Sequence, residues 1–88
     1  MDLWIIDYED DWDIYFNNLD KTIQSQILKK IQQLQYCISA RHFHKLNFFI
    51  LEVGQYRIDF FENKDKKFRI IAFIGNHKQY EKWYKSHR

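Results

Sequence analysis

The 88-residue chain contains no proline, two glycines and a single cysteine. With Cys37 alone no internal disulfide can form, whereas a small oxidised scaffold needs several. The lack of proline and the scarcity of glycine leave little scope for linkers or long loops, which predicts one domain over residues 1–88. No apolar run approaches the ~20 residues that span a bilayer. The start, Met1-Asp2-Leu3-Trp4, lacks a basic stretch and a small-residue cleavage site, so a cytoplasmic location is expected. Repeats at solenoid periods are also absent. What is present is 45% apolar and 30% charged residues, the balance of a folded globular chain.

The net charge is only +2, but it is unevenly spread. Residues 1–20 hold seven acids and no Lys or Arg, a balance of −7. The other five acids and all fourteen bases come later, a balance of +9. A basic body with 19% aromatic residues can attract a polyanion and stack on its bases. The same counts also describe a plain lysine-rich solvated surface.

Leu3 to Tyr8 is a short apolar run and reads as a strand. Glu9, Asp10 and Asp11 suit the positive end of a helix dipole, and Trp12, Tyr15, Phe16 and Leu19 follow at i, i+3, i+4 and i+7. A first helix is therefore predicted there. Asp20 is a suitable N-cap for a second helix, along which Ile23, Ile27, Ile31, Leu34 and Ile38 form one stripe. Beyond about residue 40 the apolar period changes to two. Phe48 to Val53 and Tyr56 to Phe61 read as a hairpin around Gly54-Gln55. Phe68 to Ile74, after the polar turn Asn63-Lys64-Asp65-Lys66, reads as a central strand. Gly75-Asn76 ends it, and His77 to Ser86 reads as a terminal helix carrying Tyr80, Trp83 and Tyr84. The predicted class is α+β, in the order β-α-α-β-β-β-α. A helical hairpin would cover one face of a small, mainly antiparallel sheet.

Alternation then assigns the sheet faces. If Tyr56, Ile58 and Phe60 meet the helices, Arg57, Asp59 and Phe61 point the other way, together with Phe48, Ile50 and Glu52. An uncovered face mixing charges with aromatics is expected to be a binding surface or half of a self-association interface.

Three segments of the chain resemble the RelE/ParE superfamily, the toxins of type II toxin–antitoxin pairs. Arg41-His42-Phe43-His44-Lys45-Leu46 is similar to the family's basic entry to its second strand. Leu51-Glu52-Val53-Gly54-Gln55-Tyr56-Arg57-Ile58 resembles the family hairpin Leu-Arg-Val-Gly-Asp-Tyr-Arg-Ile. Phe73-Ile74-Gly75-Asn76-His77-Lys78-Gln79-Tyr80-Glu81-Lys82 resembles the Gly-Thr-His-x-x-Tyr-Asp-Lys ending of HigB-type members. The element order matches over essentially the whole chain, though the first half matches in pattern only. The resemblance implies an endoribonuclease that cuts mRNA, usually in the ribosomal A site, and that a cognate antitoxin neutralises. ParE-type relatives share the fold but poison DNA gyrase, and a catalytically inactive RNA-binding domain is a third reading. The chain departs from RelE where two lysines give way to Phe48 and Ile50, and where an arginine gives way to Glu52.

Metal-free RNA cleavage needs a base for the 2′-hydroxyl, an acid for the departing 5′-oxygen and a cation for the phosphate. Given the hairpin motif, Arg57 is the cation candidate, with a salt bridge to Asp59 or Glu52 as its plain alternative. His77 can move a proton near neutral pH, or else it is merely an exposed or helix-capping residue. Glu52 is a possible base. Tyr80, which matches the motif tyrosine, would position the substrate, while Trp83 docks the last helix. Arg41, His42, His44, Lys45, Lys78, Lys82, Tyr84 and Lys85 are candidates for an RNA-binding rim. Cys37, His42 and His44 do not match a known zinc spacing, and the acids Asp7 to Asp13 have an adequate reason at a helix start. No metal or other cofactor is expected.

Overall fold

The computed structural model describes residues 3–36, 41–43 and 48–87. Strand β1 (Ile5–Tyr8) leads through a turn segment, with one 3-10 turn at Phe16–Asn18, to helix α1 (Lys21–Gln33). Strands β2 (Arg41–Phe43), β3 (Phe48–Val53), β4 (Tyr56–Asn63) and β5 (Phe68–Asn76) follow, and helix α2 (His77–His87) ends the chain. The five strands lie in the order β1-β5-β4-β3-β2. All neighbours are antiparallel except β1 and β5. The α+β class is as expected, and β2 is a strand the apolar pattern did not predict.

The first predicted helix does not form. Residues 10–15 are turns, and Asp11 takes φ +65°. Four acids within Glu9–Asp13 repel one another along a helix, and Asp is a weak helix former whose carboxylate competes for backbone groups. The apolar residues of this segment consequently divide. Trp12, Phe16 and Leu19 join the core beneath α1, while Tyr15 packs edge-on against Phe73, 5.7 Å between centroids, in a second cluster. Asp20 stands at the N-cap of α1 but makes no side-chain capping bond.

α1 buries Ile27, Ile31 and Leu34 against Ile58, Phe60, Ile71 and Ile74. A β-bulge reconciles Ile71 and Ile74 with a single face. Asp59 pairs with Phe73 but Phe60 with Ile71, so Ala72 is an extra residue in β5 and the strand's alternation shifts there. Removing most of a side chain from this core, as in Ile58→Ala, costs about 2–5 kcal/mol. α1 ends at Gln33, short of the predicted Ile38, which lies outside the described residues. Without a glycine to cap it, its last turn tightens, with Leu34 N, Gln35 N and Tyr36 N donating to Ile31 O, Gln32 O and Gln33 O, and the carbonyls just beyond the helix are served from elsewhere. The Arg69 guanidinium donates to Leu34 O and Tyr36 O, both at 2.7 Å, and Trp4 N donates to Gln35 O at 2.8 Å.

The second sheet face is not bare. α2 and Tyr15 lie across it, burying Phe48, Ile50, Phe73 and Tyr80, with Phe61, Trp83 and Tyr84 packed around them. Trp83 meets Phe48 edge-on at 5.5 Å and stacks on Phe73 at 5.3 Å. Alternation assigns residues to the two faces as expected, but the aromatic stripe of α2 has no other surface on which to bury itself. What stays open is the end of this face, beside the β3–β4 turn and the start of α2.

Candidate functional site

The site begins with a two-residue turn. Val53 pairs with Tyr56, and Gly54 takes φ +59° between them, a conformation that tight hairpin turns require. This turn fixes the register in which Glu52 faces Arg57 across the hairpin. On the other side of β4, Arg57 faces Gly75, the last but one residue of β5.

Asn76 then starts α2 through a capping box. Gln79 N donates to Asn76 Oδ1 at 2.9 Å, and Asn76 N donates to Gln79 Oε1 at 2.8 Å. Gly75 makes this possible by close approach. A Cβ there would lie 2.7 Å from Gln79 Oε1 and 2.7 Å from Phe73 Cζ. His77 is thereby set in the first turn of α2, exposed, with its Nε2 hydrogen-bonded to Glu81 Oε1 at 2.9 Å. One turn on, Tyr80 is buried, and the Arg57 guanidinium lies 4.7 Å above its ring. The His77 and Tyr80 rings are 6.4 Å apart and nearly parallel, at 23°.

Four candidates thus converge. A groove of about 250 Å³ is lined by Glu52, Gly54, Gln55, Tyr56, Arg57 and His77, with Tyr80 under the guanidinium. Among the described residues Arg57 forms no ion pair, so the plain alternative, a bridge to Asp59 or Glu52, is not made. Resting on a ring, the guanidinium keeps N–H groups for an incoming anion.

The predicted rim is only partly assembled here. Lys78 is exposed beside His77, and Tyr84 stacks on Tyr80 at 6.0 Å. Lys82 lines a different cleft, of about 270 Å³, between α2 and the acids Glu9, Asp10 and Asp11, with Phe73 among its lining residues. Lys85 is exposed on α2. Arg41 and His42 lie in β2, opposite Ile50 and Phe49, but their side chains are outside what is described. His44, Lys45 and Cys37 fall outside the described residues.

Two residues behave differently from their sequence reading. Alternation puts Asp59 on an open face, but it is fully buried, and neither carboxylate oxygen has a hydrogen-bond partner. Burial pushes its carboxyl up to about 8, against the opposing pull of the Arg57 charge. Gln79 carries no catalytic signal, but Asn76-x-x-Gln79 has the spacing of a capping box, and that spacing is the signal for its role.

No protein-family model matches the chain, and among curated proteins none is significantly similar to it. Solved structures do match in fold. A double arginine-to-alanine mutant of the E. coli toxin RelE in the free state superposes with a TM-score of 0.76 at 15% identity, over 93% of this chain and 92% of that one. The same toxin mutant bound to an antitoxin RelB peptide gives 0.71 at 14% identity, over 98% and 96%. The RelBE2 toxin–antitoxin complex of Mycobacterium tuberculosis gives 0.71 at 10% identity, over 88% and 94%. The chain has the fold of the RelE toxins.

Proposed function

We propose that this protein is the toxin of a toxin–antitoxin pair and acts as a metal-independent endoribonuclease on mRNA, with the ribosomal A site as the place of cutting. The observation that carries this reading is the meeting of Arg57, His77 and Glu52 at one groove, with Tyr80 under the guanidinium, on a chain with the RelE fold.

In this reading Arg57 grips two oxygens of the scissile phosphate and stabilises the charge that builds on it. A base takes the proton from the neighbouring 2′-hydroxyl, whose oxygen attacks phosphorus. The P–O5′ bond breaks, and an acid protonates the departing 5′-oxygen, leaving a 2′,3′-cyclic phosphate. His77 serves as acid, oriented by Glu81, and exposed Glu52, across the hairpin from Arg57, serves as base. Tyr80 holds the guanidinium from below. The second partner is an antitoxin protein, as in the complexes whose fold the chain shares.

A gyrase-directed toxin without nuclease activity is the second reading. It is favoured by Phe48 and Ile50, which occupy the positions of two RelE lysines and are buried beneath α2. Mapping mRNA cuts in a translating extract separates the two. Codon-phased cuts are expected with the wild type, and Arg57→Ala should slow them about 10²–10³-fold, the effect of losing one transition-state charge contact. Whole mRNA together with trapped gyrase–DNA complexes would overturn the nuclease.

A further inference from the structure

Asp59 is unlike any other carboxylate among the described residues: it is fully buried, with both oxygens unpartnered. An orphaned buried polar group needs an explanation. It lies two residues from Arg57 on the same face of β4, between Ile50 of β3 and Phe73 of β5, with α2 packed over that face. The ionisable groups on the surrounding elements are Glu52 on β3, Tyr56, Arg57 and Glu62 on β4, Arg69 on β5, Tyr15 from the turn segment, and His77, Lys78, Tyr80, Glu81, Lys82, Tyr84, Lys85 and His87 on α2. His77 and Glu81 are exposed and bonded to each other, and Lys82 lines the other cleft. Arg57 is the charge that acts against burial on the Asp59 carboxyl.

We propose that Asp59 is a positioning residue that sets the charge Arg57 can offer to a phosphodiester. Carrying its proton, Asp59 is a neutral floor, and the guanidinium on the Tyr80 ring faces the groove with its full charge. Once ionised, Asp59 is a buried counter-ion whose field draws that charge inward and loosens the grip on phosphate. The phosphodiester as ligand rests on the nuclease reading above. The coupling between Asp59 and Arg57 is a property of the chain itself.

The test uses the whole protein between pH 6 and 9. The Asp59 carboxyl carbon and the Arg57 Nε resonance are followed by NMR, and binding of a 2′-O-methyl decaribonucleotide, which cannot be cleaved, is measured alongside. In the wild type the two resonances should move together around pH 8. Affinity should fall about tenfold from pH 7 to 9, as expected for the loss of roughly one phosphate contact. Asp59→Asn should hold the Arg57 signal still and keep affinity within about twofold over that range. Identical Arg57 profiles in the two proteins overturn the proposal. If the variant fails to fold, an Arg57 signal that stays fixed while the wild-type Asp59 carboxyl titrates overturns it equally. Joint titration with mRNA left whole in translating extract supports the coupling and sinks the nuclease reading instead.

Discussion

Among the described residues, Arg69 and Asp59 are the charged residues that the sheet buries, one on each face, and the two are treated in opposite ways. On the α1 face Arg69 is 4% exposed and fully engaged. It pairs with Glu62 at 3.0 Å, donates to two carbonyls at the end of α1, and is stacked against Trp4 at 4.4 Å. On the α2 face Asp59 is 0% exposed and neither carboxylate oxygen has a hydrogen-bond partner. The first is a joint: one guanidinium ties Trp4, β4, β5 and the segment just after α1 together. The second contributes no bond to the fold and lies beside the groove where Arg57 and His77 meet. A buried group left without a hydrogen bond, next to a candidate site, is where a local sequence rule is expected to give way to function.

The difference is sharpest under mutation. Arg69→Met keeps much of the side-chain volume but leaves the part-buried Glu62 without its partner and two carbonyls without their donor. It should destabilise the protein by about 3–5 kcal/mol in denaturant unfolding. A loss under about 1 kcal/mol would show that the joint is ornamental. Asp59→Asn should do the reverse. The folded state holds the Asp59 proton up to about pH 8, whereas the unfolded chain releases it near the ordinary 3.8. The stability due to this proton is therefore full below pH 4 and lost as pH rises towards 8, at about 1.4 kcal/mol per pH unit. The variant has no such proton to lose. Its stability curve should rise relative to the wild type across that window, by a few kcal/mol at pH 7. Parallel curves for the two proteins would mean that Asp59 is paired or solvated after all, and the contrast between the faces would vanish.

Much of this arrangement was legible in the sequence, because local rules and tertiary packing agree there. The two-residue turn at Gly54-Gln55 dictates the hairpin register, and the apolar alternation of Tyr56, Ile58 and Phe60 dictates the faces. Arg57, His77 and Tyr80 are named as one set by the motif resemblance alone, and the structure brings them together once α2 is docked. The first helix misled because Trp12, Tyr15, Phe16 and Leu19 carry the right period, while the acids before them oppose helix formation. Period alone does not weigh that repulsion. Asp59 misled for a longer-range reason. Its burial depends on where α2 lies, and the stripe of Tyr80, Trp83 and Tyr84 shows that α2 must dock without showing on which face. Arg69 reads as a lone charge in an apolar strand until the end of α1 is brought to it, 33 and 35 residues away in the chain.

The smallest expected effect tests whether the cover over Asp59 is what sets the two faces apart. Gln79 closes the capping box at the start of α2, and its loss in Gln79→Ala removes one of two reciprocal bonds there. Global stability should fall by about 1 kcal/mol, the usual value of a cap. The consequence for Asp59 is more telling than the size. Fraying of the first turn of α2 admits water towards the carboxyl, relieves the desolvation that raises it, and moves its titration from about pH 8 towards the ordinary carboxylate range. The Asp59 carboxyl carbon, followed by NMR in this variant, should titrate at lower pH than in the wild type. The Arg69 side chain, sealed by α1 on the far face, should keep its contacts and chemical shifts. An unmoved Asp59 midpoint in a destabilised variant would show that the strands Ile50 and Phe73 bury the acid by themselves, with α2 merely lying alongside.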